Sequence, residues 1–84
     1  MDIVILNEND LPMLQKRFYD IEDLDFSSLE NLQKSLDISA SQRYYKFSNL
    51  LGITFGNING VPQVFFYGNG HHLSEIFGVE RVYG

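Results

Sequence analysis

The side chains best suited to chemistry lie together in His71-His72-Leu73-Ser74-Glu75. On a helix, His72 and Glu75 are three residues apart and His71 and Glu75 four apart, a spacing that metal sites use. A protein-held ion needs at least three ligands, so a third would have to come from elsewhere, with Asp2 and Asp10 as candidates. Two ligands are too few to define a site, and the plain reading is a helix start with a solvent-facing Glu. The same histidines, with Ser74 and the acids, can be assembled into a nucleophile set only on paper. Nothing supplies an activated-nucleophile motif or preorganised oxyanion donors. Gly68-Asn69-Gly70 precedes this helix and could hold an anion at its N-terminus. It lacks the lysine and the spacing of phosphate loops, and a strand-to-helix turn explains its glycines. The expectation is no enzyme, no metal and no cofactor.

A second group is acidic. Residues 1–37 hold nine of the eleven acids and three bases, a balance of −6, while residues 38–84 balance at +1. Four acids, Asp20, Glu22, Asp23 and Asp25, fall within six residues. Such a segment can dock on a basic partner, or it can be a solvated connection whose acids favour the next helix N-terminus. A calcium loop does not fit. Started at Asp23, it would have Ser28 where the turn glycine belongs and Lys34 where the closing glutamate belongs. A third group is aromatic. Tyr45, Phe65 and Tyr67, with Tyr44, are more rings than a small core readily absorbs, and exposed rings mark interfaces.

Composition narrows the classes. Eighty-four residues form one domain, 1–84, near the lower size for a self-sufficient core, so self-association would help it. The absence of cysteine excludes disulfides, thiolate zinc sites and cysteine nucleophiles. A net charge of −5 argues against general nucleic-acid affinity, which phosphate neutralisation supplies. Ile3–Leu6 is too short for a signal core, and no stretch approaches the roughly 20 apolar residues of a membrane span. The expected location is cytoplasmic, with no membrane.

The elements that must carry these groups follow from spacing. Ile3-Val4-Ile5-Leu6 reads as a strand, 2–6, buried on both faces. Pro12 and the spacing of Leu11, Leu14, Phe18 and Ile21 predict a helix over 11–21. Leu24 and Phe26 anchor the acidic connection. Ser27 and Glu30 have capping-box spacing, and Leu29, Leu32 and Leu36 give the stripe of a helix to 37. Tyr44, Phe47 and Leu51 suggest a third helix, 40–51, although Arg43–Phe47 would also suit an extended chain. Asn59-Gly60 between two β-rich runs predicts a hairpin over 53–67, because both turn residues need positive φ. Its register sets Ile53, Phe55, Val64 and Phe66 on the core face, with Thr54, Gln63, Phe65 and Tyr67 on the other. Pro62 marks the start of the second strand as an edge, so strand 2–6 should pair beside 53–58. A short helix, 71–77, ends at Gly78. The fold class is α+β, a small domain of order β-α-α-α-β-β-α, with a three-stranded sheet packed against helices.

No known family's motif matches residue by residue. The leading reading is a small acidic, non-enzymatic regulator or inhibitor that binds another protein with a basic surface. Asp20, Glu22, Asp23 and Asp25 would steer it, and Tyr45, Phe65 and Tyr67 would supply affinity. The alternative is a winged helix-turn-helix-like DNA-binding regulator, presenting Gln42, Arg43, Tyr45 and Lys46 from the 40–51 helix. Asp37 in place of a turn glycine and a hairpin tip without bases weaken it.

Overall fold

The structure, a computed structural model, describes residues 1–39, 44–48 and 51–84. In these, an antiparallel sheet of four strands packs against three helices. The strands are β1 (Asp2–Ile5), β2 (Tyr44–Ser48), β3 (Leu51–Ile58) and β4 (Val61–Gly68). The helices are α1 (Leu11–Arg17), α2 (Leu29–Ser39) and α3 (Gly70–Phe77), and single 3₁₀ turns occupy Glu8–Asp10 and Val79–Arg81. The α+β class holds, and the sheet gains one strand over the three expected.

The hairpin forms in the expected register. Ile58 faces Val61, Gly56 faces Gln63, Thr54 faces Phe65, and Pro62 lies opposite Asn57. Asn59 and Gly60 both take positive φ, 50° and 83°, as a turn matched to strand twist requires. Ile53, Val64 and Phe66 are buried and Phe55 packs against them, so the core face is the one the alternation indicated.

The third helix is a strand where it is described. Tyr44–Ser48 pairs antiparallel with β3, Tyr45 opposite Ile53 and Lys46 opposite Gly52. The apolar period of two, through Tyr45 and Phe47, outweighs the helical coincidence of Tyr44, Phe47 and Leu51. Aromatic residues favour the pleated, half-buried surface. Because β2 occupies that edge of β3, β1 does not pair there; the sheet order is β1-β4-β3-β2. β1 lies along β4 from Asp2 opposite Gly68 to Ile5 opposite Phe65, and Leu6 N–H reaches Val64 O at 2.9 Å. It stops short of Pro62, so the start of β4 has no neighbour on that side among the described residues. The reading of Pro62 was local and right; the placement of β1 drawn from it was not.

All three helices cover one face of the sheet. Leu14, Leu32, Leu36 and Leu73 join Val4, Ile53, Val64 and Phe66 in one buried cluster. β1 is therefore buried on one face only: Val4 is inside, while Ile3 and Ile5 are half-buried on the opposite face. α1 ends at Arg17, earlier than 21, because Phe18 leaves helical geometry (φ −117°, ψ 37°). Its ring stacks on Phe47 at 4.5 Å and approaches Phe26 at 6.1 Å and Phe66 at 5.9 Å. α2 is capped by Ser28, whose Oγ accepts the Asn31 N–H at 3.1 Å; Glu30 pairs with Lys34 at 3.2 Å instead of closing a box with Ser27. After α3 the chain returns to β1, where Ile3 and Tyr83 exchange both backbone hydrogen bonds at 2.9 Å.

Candidate functional site

The connection between α1 and α2 alternates what it hides and what it shows. Leu24 and Phe26 are buried, while Asp20, Glu22, Asp23 and Asp25 are exposed. The apolar anchors hold the segment against the ring stack, so its acids are presented from a seated chain. Phe18, Ile21, Leu24 and Phe26 line a groove of about 360 Å³ that Glu22 and Asp25 also border. Tyr19 projects beside it, 84% exposed. Asp20, Glu22 and Asp23 form no ion pair among the described residues.

Asp25 differs from the other three. Its Oδ1 accepts from the Ser27 hydroxyl at 2.6 Å and the Ser27 N–H at 3.0 Å, and its own N–H donates to Ser35 Oγ at 3.1 Å. These bonds to the charged form, the hydroxyl's first, hold its carboxyl below the usual range. Asp25 therefore shapes the approach to α2 as well as contributing charge.

The aromatic candidates separate. Tyr45 lies on the helix-covered face, its ring 5.3 Å from Phe47, which stacks on Phe18. A run of rings thus links Tyr45 to the acidic groove. Phe65 and Tyr67 are half-buried on the opposite face, where no helix among the described residues lies. A Cβ on Gly52 would collide with the Tyr67 ring, and one on Gly56 would meet Phe65 at 2.9 Å, so both rings lie down on bare backbone.

The DNA-reading set is not assembled on a helix. Gln42 and Arg43 lie outside the described residues; Tyr45 and Lys46 are strand neighbours facing opposite sides. The histidines behave as surface groups. His71 Nε2 meets Glu75 Oε1 at 3.0 Å with both side chains well exposed, and no cluster of three metal-type ligands occurs among the described residues. Ser74 Oγ donates back to Gly70 O at 2.8 Å, a helix-internal bond that engages the hydroxyl. The α3 N-terminus caps itself, with Asn69 Oδ1 accepting from His71 and His72 N–H at 2.9 and 3.3 Å. The Asp2 carboxylate lies against Gly70, so an incoming anion would meet a side chain already in place and a negative charge.

A contact that sequence spacing does not signal joins the chain ends. Arg81 donates to both oxygens of Asp10 at 2.9 Å and to Ile5 O at 2.9 Å, and Asp10 also accepts from Asn7 N–H. Burial pushes the Asp10 carboxyl up, but the Arg81 hydrogen bonds, the Asn7 amide and the Arg81 charge outweigh it and hold it below the usual range. No helix among the described residues is long and apolar enough to cross a membrane. No family model matches the chain, and no curated protein or solved structure does either.

Proposed function

We propose that this chain is a small acidic, non-enzymatic regulator or inhibitor that binds another protein, docking on a basic surface through the Asp20–Asp25 segment. The observation that carries this is the groove beside that segment: a largely polar surface lined by Gln15, Glu22 and Asp25 over the rings of Phe18 and Phe26, with no ion pair among the described residues to neutralise Asp20, Glu22 or Asp23. A lysine or arginine side chain has the matching form, an aliphatic stem with a charged head. Rim charge of this kind acts mainly on encounter rate, and rings beneath it on residence. Tyr45 and Tyr19 stand on the helix-covered side with the groove. The non-enzymatic reading is supported by a Ser74 hydroxyl bonded into its helix and histidines paired only at the surface.

The test is a pull-down from source-cell lysate with the native chain and with a variant carrying Asp20→Asn, Glu22→Gln and Asp23→Asn, which leaves the Asp25–Ser27 hydrogen bonds in place. Association kinetics of the captured protein follow at low and high salt. The expected result is about a tenfold slower association for the variant at low salt, with the difference shrinking as salt rises. Equal capture by both chains, with rates indifferent to salt, overturns the proposal.

A further inference from the structure

We propose that the face of the sheet that no described helix covers is a self-association surface, on which a second copy of this chain packs face to face. The outward strand positions carry Ile3, Ile5, Phe65 and Tyr67, half-buried within one chain, and Ile58 and Val61, 39% and 54% exposed. A shallow apolar depression of about 360 Å³ opens among Met1, Ile3, Thr54 and Tyr67. The glycines beneath Tyr67 and Phe65 let those rings lie flat, giving the low relief that sheet-on-sheet packing needs.

Charge selects the occupant. None of the eleven acids stands on an outward strand position. Asp2, the one acid within the described strands, turns its carboxylate to Gly70 at the start of α3. Lys46 is the one charged residue at an outward position of those strands. A basic protein has nothing acidic to pair with here. A second copy, by contrast, brings together two faces whose one charged side chain is Lys46 on the edge strand β2, and leaves both sets of acids pointing away from each other. Area sets the strength. The four strands hold 4, 5, 8 and 8 residues, and at about 3.3 Å by about 4.8 Å per residue they make a face of roughly 400 Å². Two copies together bury roughly 800 Å², less than the roughly 1,000 Å² of a stable specific interface, so the dimer is weak and concentration-dependent. A two-fold axis through the face makes the contact self-complementary and closed.

Sedimentation velocity between about 5 and 500 μM tests this on the full chain. The apparent mass should double across the range, at salt high enough to screen the acids as readily as at low salt. Phe65→Lys, at the centre of the face, and Ile58→Lys, already exposed and tolerant of a charge, should each weaken association at least tenfold. Circular dichroism checks both folds, and Ile58→Lys keeps the test decisive if Phe65→Lys unfolds. A monomer throughout overturns the proposal, and one that binds an apolar dye at this face assigns it to another occupant. A dimer that survives both substitutions, or that salt dissociates, overturns it too, by placing the contact on a different surface.

Discussion

Asp10 is the one buried charged side chain among the described residues, 8% exposed, and a two-pronged guanidinium fork from Arg81 meets it. The pair also closes the fold, because Arg81 reaches Ile5 O and lies 5.9 Å from the Phe77 ring centre. Arg81→Met keeps the stem but leaves the carboxylate inside with only the Asn7 amide. The expected loss is about 1.5–3 kcal/mol at neutral pH, read from urea midpoints. The pH dependence has a definite sign. Asp10's folded pKa is depressed, so its contribution is complete above the unfolded value near 3.9 and is lost as pH falls toward the folded one. The stability gap between the native chain and Asp10→Asn should hold constant from about pH 7 to 5 and narrow below about pH 4. A gap unchanged at pH 3 would mean the pair is not formed. Nothing in the sequence announced this contact: the partners are 71 residues apart, and the capping box that Asp10 forms with Asn7 says nothing of Arg81.

Elements were legible where the determinant was local. The Asn59-Gly60 turn sets its own register through two residues of positive φ, and the whole β3–β4 pairing follows. Gly60→Val should cost about 1 kcal/mol or more, since a β-branched residue resists that conformation. An unchanged unfolding midpoint would remove the turn from the account. α3 was equally local, from the Asn69 cap to Gly78, and Asn69→Ala should cost about 1 kcal/mol through two unsatisfied amides, measured the same way. Non-local choices were the ones missed. Tyr44, Phe47 and Leu51 fit a helix and Tyr45 and Phe47 fit a strand, and the free edge of β3 decides between them by pairing with 44–48. Misassigning that strand left β3 with an imaginary vacancy, and β1 was sent to fill it. The acidic segment was visible from composition alone. The split of Tyr45 from Phe65 and Tyr67 was not, because it depends on which face the helices cover.

At the scale of the whole molecule, charge is placed at some cost to the fold. A chain of net −5 repels itself, and Asp20, Glu22 and Asp23 concentrate that repulsion without an ion pair among the described residues. If these acids only solvate a connection and assist the dipole of α2, removing their charge should weaken the helix start. If they are kept for a partner, removing it should relieve the fold, as is common where function and stability compete. Within the segment, Asp25 is bonded to Ser27 and Ser35 ahead of α2, while the other three face solvent. The triple variant Asp20→Asn, Glu22→Gln and Asp23→Asn should therefore melt higher than the native chain at low salt. The gain should be about 0.5–1 kcal/mol, or 2–8 °C for a domain of this size, shrinking as salt is added. Asp25→Ala should melt lower at every salt concentration, because it removes hydrogen bonds rather than repulsion. Thermal denaturation followed by circular dichroism from 10 to about 500 mM salt reads both. A lower midpoint for the triple variant would return those acids to the service of α2 and leave the groove without its charge argument.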